Sequence, residues 1–143
     1  MIFSVTLPVR FGDCDFAGIA YYPRLLALVD AAIEDWTLAV LGVDRQTMHE
    51  AHHCGLPTRS LTTDFARACR LGERLDFSVA VQAVSARSVT LAVAAAVGRE
   101  VRFTANLVQV PIDTRTTKAR AWPQDWRNRL QACVALHVQS VAC

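Results

Sequence analysis

Residues 9–23 read VRFGDCDFAGIAYYP, and this stretch decides how the rest of the chain is interpreted. The β-rich segment 2–11 leads into it and is predicted to form a strand. Gly12, Gly18 and the two aspartates between them favour a loop with unusual backbone angles. Pro23 fits a first helical position, where its missing N–H costs nothing. The stretch therefore predicts a strand, a loop that carries carboxylates, and the start of a helix.

The helix that follows has the strongest periodicity in the chain. Apolar residues recur at spacings of three and four, which gives the helix one broad apolar face. These residues are Leu25, Leu28, Val29, Ala32, Ile33, Trp36, Val40 and Leu41. Gly42 comes directly after the last of them and is typical of a helix C-terminus. We expect this helix to be central to the fold, and we predict a short helix or turn from about 44 to 52.

Four further strands are predicted in the second half of the chain, because it is rich in β-branched and aromatic residues. They cover residues 61–65, 75–84, 89–97 and 101–112, with Gly98 as a tight turn before the last. A C-terminal helix is predicted from Pro123 to His137, with Trp126, Leu130 and Val134 on one side. One helix beside one antiparallel sheet leaves a sheet face or edge uncovered, so we expect a second copy to cover it.

The bulk properties exclude several classes of protein. The 143 residues predict a single domain, 1–143, and a net charge of +2 gives no basic excess for nucleic acid. The longest apolar run, Val89 to Val97, is too short to cross a membrane. Five cysteines without a CxxC pair favour free thiols in a reducing compartment. No basic segment precedes an apolar stretch at the N-terminus, so a cytoplasmic location is expected.

The loop between the first strand and the helix predicts a catalytic site. It places two carboxylates just before a helix start, where the first N–H groups are unpaired and carry partial positive charge. A carbonyl oxygen placed there is polarised, and a tetrahedral oxyanion is stabilised more strongly still. Losing one such donor costs on the order of 3 kcal/mol in the barrier. A nearby carboxylate can then attack the carbonyl or activate a water.

The same stretch closely resembles the signature of the 4-hydroxybenzoyl-CoA thioesterase family. That signature is a G-D-x-D-x-x-G pattern followed by an aromatic pair and a proline, and here it runs from Gly12 to Pro23. More loosely, the resemblance extends over about residues 5 to 125. It implies an α+β hotdog fold, in which an antiparallel five-stranded sheet wraps around a long central helix, with a C-terminal helix. It also implies hydrolysis of an acyl-CoA by a homodimer or homotetramer.

The resemblance assigns roles to residues of the loop. The second aspartate of the motif, Asp15, corresponds to the catalytic carboxylate, as nucleophile or as general base. Tyr22 corresponds to the residue whose backbone N–H polarises the thioester carbonyl, and Gly18 belongs to the substrate-binding loop. Related Tol–Pal-type thioesterases carry a histidine in place of Tyr22, which favours an aromatic acyl group here. Without the resemblance, the loop is equally typical of a turn held by Asx hydrogen bonds, and Asp13 is expected to be structural.

Residues outside the loop are predicted to bind the substrate. Asp30 lies within the helix, where the family often has an acid that lines the acyl pocket, and a hydroxyl on an aromatic acyl group would be its partner. A solvent-facing acid on the helix flank is the alternative. Arg87 and Ser88 lie between two predicted strands, where related enzymes have basic residues near the CoA phosphates. Two other pairs are alternatives for that role: Arg67 with Arg70, and Lys118 with Arg120.

Other chemistries have weaker support. His49, His52 and His53 have no acidic or cysteine partner at a convincing spacing, so no metal is expected. Cys14 is expected to pack rather than react. No cofactor is expected, because coenzyme A is part of the substrate. A hotdog dehydratase, a non-catalytic acyl-CoA-binding protein, and a thioesterase for aliphatic acyl-CoA or acyl carrier protein stay as alternatives.

Overall fold

The computed structural model describes the backbone of residues 2–141 and the side chains of residues 2–134. Five strands form one antiparallel sheet in the order β1-β4-β5-β6-β3, and β2 pairs with β7 in a separate ribbon. The elements are β1 (Phe3–Pro8), α1 (Tyr22–Leu41), α2 (Arg45–Glu50), β2 (Cys54–Gly55), β3 (Thr58–Phe65), β4 (Arg74–Ser85), β5 (Ser88–Val97), β6 (Glu100–Gln109), β7 (Ile112–Asp113) and α3 (Gln124–Val141). The predicted α+β hotdog fold is confirmed.

The core lies between α1 and one face of the sheet. In β4, β5 and β6 every second side chain is buried, as expected where one face of a pleated sheet is covered. The buried side of α1 includes Ile33 and Trp36, which are at most 1 % exposed. The face of α1 predicted from periodicity is therefore the one that packs on the sheet. α3 lies against β4 and α1, with Trp126 and Leu130 buried as predicted.

Both ends of α1 follow from local chemistry. Tyr21 precedes the helix with extended backbone angles, φ −75° and ψ 128°. Pro23 was predicted at the first helical position. The helix begins one residue earlier, at Tyr22, so Pro23 occupies the second position. The missing N–H of a proline is equally harmless there, because the second N–H of a helix has no intrahelical acceptor either. At the other end, Gly42 adopts the left-handed conformation (φ 72°) that lets a chain leave a helix.

The five strands of the main sheet were all predicted, and the differences lie at their ends. β1 ends at Pro8, because proline cannot donate to the next hydrogen bond of the ladder. A 3-10 turn at Phe11–Asp13 takes the place of its predicted continuation. β6 ends at Gln109, shortly before Pro111, and the predicted strand 101–112 is therefore divided between β6 and β7. The short helix after Gly42 was also predicted and is α2.

One edge of the sheet is left open by α1. Leu61 and Phe65 of β3 lie opposite Leu107 and Phe103, so they share the inward face of the sheet with these buried side chains. Leu61 is nevertheless 42 % exposed and Phe65 44 % exposed. The helix therefore does not cover β3, and an open groove runs between the two. We call this groove the α1–β3 cleft.

Two further observations concern the compartment. The four cysteines within the described residues, Cys14, Cys54, Cys69 and Cys133, carry free thiols, and Cys143 lies outside that part of the chain. No helix among the described residues is both long and apolar enough to cross a membrane.

Candidate active site

The loop that carries the two aspartates closes on itself. The backbone N–H of Tyr21 donates to the carbonyl oxygen of Asp13 over 2.8 Å, and the N–H of Asp15 donates to the carbonyl of Ile19 over 3.0 Å. Gly18 lets the chain reverse its direction in this loop, because its φ of 74° is a conformation that residues with a side chain rarely adopt. The loop therefore holds Asp15 beside the chain segment that begins α1.

A second segment, residues 69–71, supports the returning arm of this loop. The N–H of Ala20 donates to the carbonyl of Cys69 over 2.8 Å, and the N–H of Leu71 donates to the carbonyl of Gly18 over 3.0 Å. The loop is thus clamped by backbone hydrogen bonds on both sides. Such a clamp fixes the position of the carboxylates relative to the helix start.

The two aspartates differ in how far their oxygens are engaged. Asp13 accepts a hydrogen bond from the backbone N–H of Arg10 over 2.9 Å, in agreement with its predicted structural role. Asp15 is exposed, and its Oδ1 accepts from the N–H of Ala17 over 2.9 Å. Its Oδ2 has no hydrogen-bond partner within the described part of the chain. An Asx turn therefore holds one oxygen of Asp15 and leaves the other free to react.

The first turn of α1 presents one free backbone donor. Pro23 has no N–H, and the N–H groups of Arg24 and Leu25 both donate to the carbonyl of Tyr21, over 2.8 and 3.3 Å. The N–H of Tyr22 has no acceptor among residues 2–134. Because the helix dipole adds partial positive charge at this end, the Tyr22 N–H is well placed to bind an oxygen that carries negative charge.

An apolar cavity opens beside this donor at what we call the Tyr22 end of the cleft. It has a volume of about 520 Å³, and its lining includes Tyr22, Leu25 and Phe65. The rings of Tyr22 and Phe65 lie 6.2 Å apart in an edge-to-face arrangement. Such a cavity offers aromatic surfaces to a flat ligand.

A basic cavity of about 340 Å³ adjoins the Tyr22 end and shares Arg67 and Ala68 with it. Arg102 in its wall is engaged, because it pairs with both carboxylate oxygens of Glu73 over 2.7 Å. Arg67 makes only an exposed 3.7 Å contact with Glu100. Arg70 makes no ion pair with any described residue. Two guanidinium groups are therefore available to an anion at this rim.

The other end of the cleft, which we call the Asp30 end, is polar. An open cavity of about 370 Å³ lies there, and Asp30, Arg45, His49 and Thr58 contribute to its wall. The side chain of Asp30 is exposed and makes no ion pair within the described residues. Tyr22 and Asp30 are eight positions apart on α1, which places Asp30 about 12 Å farther along the helix and about 80° around its axis.

Arg45 is the residue of this site that sequence reasoning missed. Its Nε donates to the hydroxyl of Thr37 over 3.3 Å, whereas its Nη2 is buried and has no hydrogen-bond partner. Burial lowers the pKa of Arg45, and the carboxylates of Asp30 and Glu34 raise it in opposition. No motif surrounds Arg45 in the sequence, and only the packing of α2 against α1 brings it to the cleft.

Arg87 and Ser88 lie far from the Tyr22 end of the same chain. Ser88 begins β5, whose first residues pair with the end of β6, and that end pairs with Thr58 at the start of β3. Phe65 lies at the opposite end of β3. Within one chain, the structure therefore brings Asp15, Gly18 and Tyr22 together, with Asp30 along the same helix, and leaves Arg87 and Ser88 apart.

The remaining candidates have other surroundings. Burial raises the pKa of the Cys14 thiol, as do the carboxylates of Asp13 and Asp15, so the nucleophilic thiolate form is disfavoured. His52 packs against Trp126 with ring centroids 5.2 Å apart, while His49 faces the Asp30 end. Within the part of the chain that the structure describes, no three His, Cys, Asp or Glu side chains gather as metal ligands do.

Comparison with known proteins gives three consistent findings. A family model described as the thioesterase-like superfamily matches residues 9–130. A 1,4-dihydroxy-2-naphthoyl-CoA hydrolase of Synechococcus elongatus is 25 % identical over 122 residues, which cover 82 % of this chain and 89 % of the relative. Two solved structures share the fold. A gentisyl-coenzyme A thioesterase has a TM-score of 0.79 and 20 % identity, covering 87 % of this chain and 98 % of its own. A hypothetical protein of Staphylococcus aureus in complex with CoA has a TM-score of 0.86 and 12 % identity, and the match covers 94 % of this chain and 85 % of that protein's chain.

Proposed function

The chain belongs to the thioesterase-like superfamily, and from this premise we propose that it hydrolyses an aromatic acyl-CoA, with Asp15 as the catalytic carboxylate. The enzyme class, a thioester hydrolase, follows from the family. The aromatic acyl group and the roles of individual residues are the proposal. They refine the predicted resemblance to the 4-hydroxybenzoyl-CoA thioesterase family.

One observation carries the proposal: a single free helix N–H and a half-engaged carboxylate are held by the same closed loop. The N–H of Tyr22 is the free donor of the first turn, and the Oδ2 of Asp15 is the free acceptor. Thioester hydrolysis needs a donor for the carbonyl oxygen and a group that attacks or activates water. The Tyr22 N–H and the Oδ2 of Asp15 suit these two requirements. A loop with a purely structural role would have no need to leave both groups without a partner.

The chemistry can be written for either role of Asp15. The thioester oxygen accepts a hydrogen bond from the Tyr22 N–H, which polarises the carbonyl carbon. As a general base, Asp15 takes a proton from a water that attacks this carbon. As a nucleophile, it forms a mixed anhydride that water then cleaves. In both cases the C–S bond breaks, the CoA thiolate leaves and is protonated, and a carboxylic acid is released.

An aromatic acyl group fits the Tyr22 end of the cleft. The cavity is mainly apolar, and Tyr22 and Phe65 offer ring faces and edges to an aryl group. Two similar proteins, a 1,4-dihydroxy-2-naphthoyl-CoA hydrolase and a gentisyl-coenzyme A thioesterase, have names that denote aromatic substrates of those proteins. Asp30, farther along α1, offers an acceptor to a hydroxyl on such a ring.

The phosphates of CoA fit Arg67 and Arg70 better than Arg87 and Ser88 of the same chain. Arg67 and Arg70 border a cavity that adjoins the Tyr22 end, and guanidinium groups suit phosphate geometry. Arg87 and Ser88 would reach the CoA of this cleft only from a second copy of the chain. The reaction as proposed uses no cofactor and no metal.

A second copy of the chain is expected to complete the cleft. The open edge strand β3 presents unpaired backbone groups, which proteins usually cover. Phe11 and Phe16 lie on either side of the two aspartates in the sequence. Phe11 is 83 % exposed, and Phe16 is fully exposed. Contiguous exposed apolar residues often mark an interface. We propose a homodimer as the smallest active unit, with a homotetramer as a further assembly.

The test is free-thiol release from a panel of aryl- and alkyl-CoA thioesters, measured with wild type and Asp15→Asn. The substitution keeps an Oδ1 acceptor for the Ala17 N–H but removes the carboxylate, so folding should be preserved. We expect kcat to fall about 10²- to 10⁴-fold. Asp35→Asn is the matched control, because Asp35 is an exposed aspartate on α1 outside the cleft residues.

The panel separates the proposed function from its alternatives. Near-normal turnover by Asp15→Asn would remove Asp15 from the mechanism. A preference for alkyl over aryl thioesters would overturn the aromatic assignment and leave the thioesterase intact. Release from no CoA thioester would favour an acyl carrier protein substrate, a dehydratase or a binding protein.

A further inference from the structure

The basic cavity at the rim of the Tyr22 end contains a carboxylate as well as arginines. Glu100, the first residue of β6, lies in its wall together with Arg67 and Arg102. One carboxylate oxygen of Glu100 is 2.7 Å from the Nε of Arg102, and the other is 3.7 Å from the Nε of Arg67. Glu100 therefore bridges two guanidinium groups at the place where an anion would bind.

The two contacts of Glu100 are loose. The distance to Arg67 is too long for a hydrogen bond, and the side chains of Arg67 and Glu100 are 68 % and 48 % exposed. The Nε of Arg102 is close to Glu100 but has no hydrogen-bond partner among the described residues, so its N–H does not point at the carboxylate. Exposed ion pairs of this kind contribute little to stability. The carboxylate of Glu100 can therefore move aside when another anion binds.

Arg102 does not depend on Glu100 for a partner. Its two terminal nitrogens pair with the two carboxylate oxygens of Glu73, each over 2.7 Å. One of these nitrogens also donates to the carbonyl of Ala68 over 2.7 Å. Of the two carboxylates at this rim, Glu73 thus serves the fold, and Glu100 is the one that a ligand can replace.

Arg67 is positioned by its main chain, and its guanidinium is left for a ligand. The N–H groups of Ala66 and Arg67 both donate to the carbonyl of Arg102, over 2.9 and 3.0 Å. These bonds anchor the chain just after β3 against the beginning of β6. The side chain of Arg67 has only the 3.7 Å contact with Glu100. A phosphate that approached this guanidinium would be repelled by the carboxylate already beside it.

We propose that Glu100 is an internal counter-ion that competes with the phosphates of CoA for Arg67 and thereby sets the affinity of the cleft for CoA. In the empty enzyme Glu100 balances the charge of Arg67, and a bound phosphate takes its place. The inference rests on the proposed function, because it concerns the phosphate end of the same substrate.

Such competition has a purpose in a thioesterase. The substrate and the released CoA carry the same phosphates, so contacts at the rim hold substrate and product equally. Binding that is equal before and after the reaction lowers KM without raising kcat, and it delays the release of product. A carboxylate that weakens both complexes by the same factor favours repeated turnover.

The first experiment measures the Kd of free CoA by isothermal titration calorimetry in wild type, Glu100→Gln and Glu50→Gln. Glu100→Gln keeps the size of the side chain and removes its charge, so CoA should bind about three- to tenfold more tightly, as expected for unit charges about 4 Å apart near the surface. The gain should shrink at about 1 M salt, because exposed charges are then screened. Glu50→Gln is the matched control and should leave Kd unchanged, because Glu50 is an exposed glutamate on α2 outside the lining of the rim cavity.

The second experiment compares benzoyl-CoA with the benzoyl thioester of N-acetylcysteamine, which has no phosphate. Glu100→Gln should lower the KM for benzoyl-CoA about three- to tenfold, for the same reason as the Kd of CoA. The kcat/KM for the truncated thioester should not change. An equal change on both thioesters would assign Glu100 a structural role and overturn the inference.

Arg67→Met distinguishes a failure of this inference from a failure of the proposed phosphate site. It should weaken CoA binding, and adding Glu100→Gln to it should then have little further effect, because the group for which the two anions compete is gone. If Arg67→Met weakens binding and Glu100→Gln leaves it unchanged, only the inference is overturned. If Arg67→Met leaves Kd unchanged, the phosphates bind elsewhere and both are overturned.

The proposed hydrolysis can fail without leaving the role of Glu100 undecided. Release of thiol from no CoA thioester would overturn the proposed function, and the calorimetric titration with CoA would still show whether Glu100 competes with its phosphates. A wild type that binds no CoA would overturn both.

Discussion

The two ends of the α1–β3 cleft take their polarity from different parts of the chain. At the Tyr22 end the two groups proposed to act on the thioester come from one continuous stretch: the main-chain N–H of Tyr22 and the carboxylate of Asp15. At the Asp30 end the polar groups are side chains from three elements, with Asp30 on α1, Arg45 on α2 and Thr58 on β3. The first is a local loop that is closed by its own hydrogen bonds and supported by residues 69–71. The second exists only when the whole domain has folded.

This difference separates two tasks of an enzyme. A reaction common to a family needs the same donor and the same carboxylate in every member, and a short closed loop reproduces them. Recognition of one acyl group needs a shape and a polarity that differ between members. Side chains from separate elements can change independently, so the Asp30 end can be altered without disturbing the Tyr22 end. The following experiments test this separation.

Tyr22→Pro is the strongest test of the main-chain donor. Proline removes the N–H, and it is well tolerated at a first helical position. Tyr21 already has the extended backbone that a residue before proline requires. We expect kcat to fall about 10²- to 10³-fold, because one oxyanion donor is lost. Steady-state kinetics at saturating substrate and a thermal melt measure activity and folding separately.

Tyr22→Ala is the control for that variant. It removes the same aromatic ring and keeps the N–H, so it should raise KM with a much smaller change in kcat. If Tyr22→Pro and Tyr22→Ala have the same kcat, the ring and not the backbone donor serves the reaction. The Tyr22 end would then depend on a side chain in the same way as the Asp30 end.

Glu73→Gln tests the wall behind the Tyr22 end. Glu73 pairs with both terminal nitrogens of Arg102, and Arg102 also donates to the carbonyl of Ala68 over 2.7 Å. The side chain of Arg102 is only 11 % exposed, and its Nε keeps a 2.7 Å ion pair with Glu100. Weakening the Glu73 partner should therefore reduce the free energy of unfolding by about 1 kcal/mol. Urea denaturation measures this loss. An unchanged midpoint would show that the pair adds nothing to stability.

The same pair gives a pH dependence with a defined sign. Hydrogen bonds from Arg102 lower the pKa of Glu73 below its ordinary value. The stabilisation is therefore complete above the ordinary pKa of a glutamate, about 4.3, and is lost as the pH falls through the lower pKa of the folded state. Unfolding measured between pH 7 and acidic pH should show less acid sensitivity in Glu73→Gln than in wild type.

Thr37→Val is expected to have the smallest effect and concerns only the Asp30 end. It removes the acceptor that holds the Nε of Arg45 and changes the side-chain volume little. The Asp30 end is proposed to meet a hydroxyl on the aryl group, so the preference for hydroxybenzoyl-CoA over benzoyl-CoA should fall about two- to tenfold, as expected for the net contribution of one typical hydrogen bond. Hydrolysis of benzoyl-CoA should not change. A loss of activity on both substrates would show that the two ends are coupled through α1.

The sequence predicted those parts of the molecule that depend on local pattern. The five main strands, the apolar face of α1 and its end at Gly42 follow from periodicity and from one glycine. The loop with Asp15 was found because its motif is continuous. Pro8 and Pro111 indicate the earlier strand ends, because a proline has no N–H for the ladder.

Arg45 and the rim formed by Arg67 and Arg70 could not be ranked from the sequence. Their availability to a ligand depends on which partners they lack, and packing decides that. Arg102 forms an ion pair with Glu73, whereas Arg45 donates only to the hydroxyl of Thr37 among the described residues. Arg87 was predicted from the resemblance, because related enzymes have basic residues between the same two strands. A single sequence does not show which end of a sheet that place occupies. The role of each candidate site residue stays a prediction until it is tested.

The proposed donor of the Tyr22 end is a main-chain atom, and this has a genetic consequence. Every residue except proline supplies an N–H at position 22, so almost any missense change there keeps the donor. No single-base change converts a tyrosine codon into a proline codon. Mutation can therefore vary the ring at this position, and with it the fit of the acyl group, while the polarising group is inherited unchanged.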